Sequence, residues 1–216
     1  MSVFKSRVLR RIISSSAFWR IRHLVQPKWV SNYAKANKNI AIIEDLLLEN
    51  DIKSILDFGC ASGRMLFKIK EVNPNIKIYG VDINKKAIKY CKNYADNNHF
   101  NGGYHFSSVL NKNELYQFLD NNDLSKFDLI VFDRVLYCLN ERQIINIIQI
   151  INNISSLIYI DDFYSSNSST YIGYVHRDWI NIFKKNGYDC KVNIPTTQNK
   201  VQNADARSMV FKKNKE

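Results

Sequence analysis

No acidic residue occurs before Glu44, and only four cysteines are spread along the 216 residues, Cys60, Cys91, Cys138 and Cys190, with no C-x-x-C pair among them. With four histidines besides, neither a disulfide framework nor a cysteine/histidine zinc site is suggested, and a reducing, cytoplasmic compartment fits. A run of 18 uninterrupted apolar residues is also missing, which argues against a transmembrane helix. The chain is 45% hydrophobic and 12% aromatic, enough for one well-cored α/β domain with an appendage and too short for two ordinary domains.

The missing acids leave the start of the chain strongly basic. Residues 1–43 hold nine of the 31 Lys/Arg residues, whereas the rest carries 22 basic and 20 acidic side chains. The net charge of +11 therefore reflects a basic leader more than a basic enzyme surface. Phe4, Val8, Ile12, Phe18, Trp19 and Ile21 interleave with the arginines at roughly helical spacing, so residues 1–36 are expected to form a basic amphipathic helical segment. Three uses suit such a helix: docking on the domain or capping its site, peripheral attachment through residues 1–30 to acidic lipid at the inner face of a membrane, and nucleic acid contact. An Arg- and Ser-rich start is also similar to an organelle presequence; retention is expected here.

Residues 37–216 are expected to form the catalytic domain. Asn37–Asn50 shows the apolar spacing of an amphipathic helix. Strands are expected at Ser54–Phe58, Ile76–Asp82, Tyr104–Ser107, Phe127–Asp133, Leu157–Asp161, Tyr188–Ile194 and Arg207–Lys212. Helices are expected at Gly63–Val72, Lys85–Asn97, Lys112–Asn121, Glu141–Ile154 and His176–Asn186. Strand–helix alternation predicts an α/β fold, a doubly wound, seven-stranded, mostly parallel sheet with helices on both faces. The last two strands, joined only by Pro195–Asp205, predict an antiparallel hairpin at the carboxyl end. Ser165–Thr170 reads as a loop over the site.

In an open α/β sheet the ligand crevice lies beyond the carboxyl ends of the strands, which puts Asp57–Gly63 (DFGCASG) at its corner. Gly59 and Gly63 can take backbone angles closed to other residues. The spacing G-x-x-x-G differs from the dinucleotide G-x-G-x-x-G, and the Lys-Ser/Thr pair of a P-loop is missing. Asp82 ends the second strand 19 residues after Gly63, where a carboxylate can accept hydrogen bonds from both hydroxyls of a ribose.

Asp57, Gly59, Ala61 and Gly63, followed by Ile78–Asp82 (IYGVD), resemble the donor turn of class I, Rossmann-like S-adenosylmethionine-dependent methyltransferases, which usually read D-x-G-x-G-x-G. The likeness extends over residues 37–213, with alanine for the middle glycine. It implies S-adenosyl-L-methionine as cofactor and S-adenosyl-L-homocysteine as product. By the same resemblance, Asp57, Phe58, Gly59, Cys60, Ala61 and Gly63 hold the donor, Asp82 takes the ribose and Ile83 lies beside the adenine. Ser107 and Ser108 stand where relatives often carry an adenine-binding Asp, and Asp133 ends the fourth strand at the transfer centre.

Methyl transfer from a sulfonium is an in-line displacement, so the enzyme must align nucleophile and methyl group and, for a hydroxyl acceptor, take up its proton. Asp133, Asp161 and His176 are the candidate bases, His176 being favoured because imidazole titrates near neutral pH. Each has a plainer reading: Asp133 as a turn cap, Asp161 as a solvent-facing strand end, His176 as the first turn of a surface helix. Arg177 is a candidate for an anionic group on the acceptor. Asp133, Asp161 and Asp162 also suggest the Mg²⁺ site of catechol-type relatives, but D-R-V-L-Y-C-L after the fourth strand is more similar to the metal-free branch, and no metal ligand is assigned. The fourth strand lacks N/D-P-P-Y/F, no Pro-Cys pair occurs and no basic stripe lies outside the leader, which disfavours nucleic acid acceptors. The expected activity is O-methylation of a small molecule or glycan intermediate. The alternatives are an N-methyltransferase acting on protein or RNA, and a non-catalytic cofactor-binding module.

Overall fold

The computed structural model describes Ile12, Phe18 and residues 40–98, 100, 103–108, 112–122, 125–167, 169–171, 174–196 and 205–214. The predicted leader helix thus lies outside the described residues, save for Ile12 and Phe18. Helix α1 (Ile40–Glu49) precedes β1 (Ser54–Phe58), α2 (Arg64–Val72), β2 (Lys77–Asp82), α3 (Lys85–Asn97), β3 (Tyr104–Ser108), α4 (Lys112–Asp120) and β4 (Leu129–Asp133). A 3₁₀ turn (Leu136–Cys138), α5 (Glu141–Ile154), β5 (Leu157–Tyr164), β6 (Ser169–Tyr171), β7 (Tyr174–His176), α6 (Trp179–Lys185), β8 (Tyr188–Pro195) and β9 (Asp205–Lys213) follow. Seven strands form a mixed sheet in the order β3-β2-β1-β4-β5-β9-β8, and β6 pairs with β7 apart from it. The chain divides into two compact units inside β4; of the described residues, those from Ile40 to Val131 form the first, and Phe132 onward with Ile12 and Phe18 the second.

In the first unit β1 pairs parallel with β2 and with β4, Asp57 lying opposite Gly80 and opposite Val131. One carboxylate sets the start of that ladder. Asp128 Oδ2 accepts from Lys53 N at 2.9 Å and from Ser54 N and Ser54 Oγ at 2.8 Å, so β1 and β4 begin in register before their apolar runs meet. Those runs, Ile55 and Leu56 against Leu129 and Ile130, are buried, as parallel strands covered on both faces require.

In the second unit α5 starts from a reciprocal cap, Asn140 Oδ1 accepting from Gln143 N and Gln143 Oε1 from Asn140 N, a device that satisfies two donors a helix start leaves over. Ile144, Ile147, Ile148, Ile151 and Ile154 form its buried stripe, the spacing of one helical face. β9 lies antiparallel to both β5 and β8, which is the hairpin expected from the missing helix between the last two strands.

Two local expectations are corrected. The sequence predicts a helix from His176, but Tyr174–His176 is β7, paired antiparallel with Ser169–Tyr171. The helix begins only at Trp179, because Asp178 is its cap, its side chain accepting from Asn181 N at 3.0 Å. The Ser-rich stretch expected to be a loop accordingly ends as a strand of that hairpin. Among the described residues no helix is long and apolar enough to cross a membrane.

Candidate functional site

The turn after β1 is built on three small residues at alternate positions. Gly59, Ala61 and Gly63 all have positive φ, 86°, 47° and 73°, so the D-x-G-x-A-x-G pattern marks three consecutive demands for left-handed backbone. Glycine meets that demand without strain, whereas an alanine there costs about 1–2 kcal/mol. Replacing Ala61 with glycine is therefore expected to stabilise the fold by up to about 1 kcal/mol, part of the relief being offset by the looser unfolded chain. Urea denaturation would show it, and a loss of stability would contradict the strained alanine.

The turn is tied to β2 on both sides. Gly59 N and Cys60 N donate to Val81 O at 2.8 and 3.1 Å. Asp82, which ends β2 and is buried, accepts from Ala61 N at 3.0 Å through Oδ2 and from Asn84 N at 2.8 Å through Oδ1. Asn84 in turn caps α3, its Oδ1 accepting from Lys86 N at 3.0 Å and Ala87 N at 3.4 Å. Ser107 and Ser108 end β3 directly beside Val81 and Asp82. Ser108 Oγ is buried without a hydrogen-bond partner among the described residues. Asp57 is buried next to the β1 tip, and Phe58 and Ile83 are half-buried.

An adenosine-bearing donor asks two things of such a crevice: a backbone turn that approaches closely without side chains, and a carboxylate of fixed orientation for the ribose hydroxyls. Both are present. The first unit thus brings together Asp57, Phe58, Gly59, Cys60, Ala61, Gly63, Asp82, Ile83, Ser107 and Ser108. Sequence reasoning missed Asn84, which an Asn before an amphipathic run signals. It also missed Gly80, where a Cβ would come within 2.7 Å of Phe106 and 2.8 Å of Cys60 Sγ.

The second unit holds the candidate bases in very different surroundings. Asp133, at the end of β4, is half-buried. Asp161 is fully buried, at 0% exposure. Its Oδ1 is ion-paired with Arg134 Nε, and its Oδ2 accepts from Ser208 Oγ at 2.8 Å. It is therefore not a solvent-facing strand end, a correction to that reading of the residue. His176, at 1% exposure, sits with its ring 5.3 Å from that of Phe163; burial, and then the Arg177 charge, lower its pKa, so the ring is neutral at neutral pH but sealed from solvent. Arg177 is also buried. Its guanidinium donates to Leu139 O at 2.7 Å, to Leu136 O at 3.3 Å and to Glu141 Oε1 at 3.0 Å, so it clamps the turn after β4 where an anion-binding role had been expected. Sequence reasoning gave no sign of Arg134 or Ser208.

Asp162 lies beside this network, fully buried, its oxygens accepting from Tyr137 N at 3.0 Å and Phe163 N at 2.7 Å. Burial, only partly opposed by these bonds and by Arg134, raises its pKa to about 7. The folded protein thus keeps a proton that the unfolded chain releases far lower, so this group's contribution is present in acid and lost as pH rises through about 7. Unfolding free energy is expected to fall by about 1 kcal/mol between about pH 6 and pH 8. In Asp162→Asn that fall should be missing, as denaturation at several pH values would reveal.

Comparison with known proteins agrees with this geometry. Residues 49–207 match the methyltransferase domain family. A tRNA N(3)-methylcytidine methyltransferase of Schizosaccharomyces pombe is 30% identical over 77 residues, 36% of this chain and 25% of its own length, so the match spans a quarter of that relative. Among solved structures, one from Galdieria sulphuraria, assigned as a sarcosine dimethylglycine methyltransferase, superposes with a TM-score of 0.64 at 9% identity, covering 82% of this chain and 86% of the other. An O-methyltransferase from a trans-AT polyketide synthase multienzyme of Brevibacillus brevis, bound to S-adenosyl-L-homocysteine, gives 0.59 at 14% identity over 75% and 67%.

Proposed function

The chain belongs to the class I S-adenosylmethionine-dependent methyltransferase family, and from that premise we propose that it O-methylates a small molecule or a glycan intermediate. Its methyl donor is S-adenosyl-L-methionine, which supplies a sulfonium-activated methyl group. In this reading the Gly59–Gly63 turn and Asp82 orient the adenosine, Ile83, Ser107 and Ser108 border the base, and Asp133 takes the acceptor's proton. The observation that carries the choice of oxygen is the exposure of the three candidate bases: Asp161 and His176 are sealed, whereas Asp133 stays partly open at a strand tip. A hydroxyl nucleophile needs such a base, and a positioned one contributes roughly 10²–10⁴-fold. The O-methyltransferase among the structural neighbours supports the same class.

A second reading, N-methylation of RNA, is favoured by the 77-residue likeness to the tRNA enzyme and by the nine basic residues before Glu44, which would grip a polyanion. Labelled donor offered with a panel of small hydroxyl acceptors and with total tRNA, to the full chain and to a chain lacking residues 1–30, separates the two. Label on a small hydroxyl, unaffected by the truncation and lost in Asp133→Asn, is the expected result. Salt-sensitive labelling of RNA that disappears with the leader would overturn it.

A further inference from the structure

The donor turn is backed by two thiols that methyl transfer does not use. Cys60 lies within the turn and Cys91 on α3, both buried. Cys91 Sγ donates to Ala61 O at 3.4 Å, and Cys60 Sγ approaches the same carbonyl at 3.9 Å. The two sulfurs thus converge on one peptide group of the turn. Their places are tightly set: a Cβ on Gly63 would come within 3.0 Å of Cys91 Sγ, and one on Gly80 within 2.8 Å of Cys60 Sγ. The Cys91 thiol first, and burial second, hold the Cys60 thiol well above its ordinary pKa.

We propose that Cys60 and Cys91 are a redox-responsive pair, joined by a hydroperoxide into a disulfide that closes the donor turn to S-adenosylmethionine. This rests on the reading of Asp57–Gly63 as the donor site. Deprotonation of Cys60, which its raised pKa makes slow, gives the thiolate that attacks one peroxide oxygen; the O–O bond breaks, the departing oxygen takes up the proton, and a sulfenic acid and an alcohol (water, for hydrogen peroxide) form. The sulfur of Cys91 then displaces that hydroxyl as water and the S–S bond closes. Two electrons and two protons pass from the thiols to the hydroperoxide.

A disulfide sets its sulfurs about 2.05 Å apart. Here they close in against the Ala61 carbonyl, in a turn whose backbone is already held at φ 47° and whose Ala61 N–H orients Asp82. Pulling Cys60 toward α3 therefore disturbs both the approach of the backbone and the carboxylate that faces the ribose. Transient disulfides of this kind are the ones that a reducing compartment tolerates. Cys190, half-buried on β8, serves as an internal comparison for general oxidation.

The test treats the full-length chain with hydrogen peroxide, maps thiols by differential alkylation and peptide mass spectrometry, and titrates S-adenosyl-L-homocysteine into reduced and oxidised protein. A Cys60–Cys91 linked peptide is expected, with affinity reduced about tenfold or more, and dithiothreitol should reverse both. Cys91→Ser and Cys91→Ala, each compared with its own reduced form, should show neither the link nor the loss. Oxidation of Cys190 without a Cys60–Cys91 link overturns the inference, as does a link that leaves affinity unchanged. Reduced Asp82→Ala tells the two failures apart: if it binds weakly while the linked protein binds normally, the redox inference alone fails, and if it too binds normally, the donor assignment fails.

Discussion

Replacing Arg134 with methionine is expected to lower the unfolding free energy by about 3–5 kcal/mol, because it leaves the Asp161 carboxylate buried without its cation. The two side chains are 17% and 1% exposed, so this is an interior pair, and removal of one partner forfeits what offsets the desolvation of the other. Asp161 would keep the Ser208 hydroxyl as a side-chain donor, itself backed by Tyr159 OH at 3.3 Å. The methionine stem can still pack on the Phe163 ring, over which the guanidinium now lies 4.9 Å from the centroid, so most of the loss is electrostatic. Adding Asp161→Asn to Arg134→Met should then recover at least half of it. Urea denaturation of the two single variants and the double variant measures the coupling. A loss below about 1 kcal/mol, the range of exposed pairs, would contradict the buried-pair description.

Asp82→Ala is expected to weaken binding of S-adenosyl-L-homocysteine by about 1–3 kcal/mol, roughly 5- to 150-fold. Two effects combine. The ribose hydroxyls lose their acceptor, and Ala61 N and Asn84 N lose the oxygens that now hold them, so the turn is less well ordered before the donor arrives. Asp82→Asn keeps one acceptor oxygen and should fall between wild type and Ala. Calorimetric titration checks the order of the three proteins, and unchanged affinity in Asp82→Ala would contradict the ribose assignment.

The turn after β1 was legible in the sequence because local chemistry fixes it. Small residues at positions 59, 61 and 63 are what three left-handed residues require. An apolar run that ends in Asp82 is what a buried strand with a polar tip looks like. The acceptor side was legible only in part. Arg134 takes φ 52°, a conformation that nothing about an arginine announces, and its partnership with Asp161 joins residues 27 apart in sequence. Ser208 reaches Asp161 through the β5–β9 register, which no short-range pattern encodes. The error at His176 came from extending the period of Trp179–Lys185 backward past Asp178, although Asp178 is itself a residue of the capping type. The basic leader is legible as composition, and the helix expected for it lies outside the described residues save for Ile12 and Phe18.

A crystal structure of the full chain with S-adenosyl-L-homocysteine tests the central claim most directly. The expected result is density beyond the carboxyl end of β1, with the ribose hydroxyls within hydrogen-bond distance of Asp82 and the ligand against the Gly59–Gly63 backbone. Ligand bound elsewhere, with no contact between the ribose and Asp82, would contradict it.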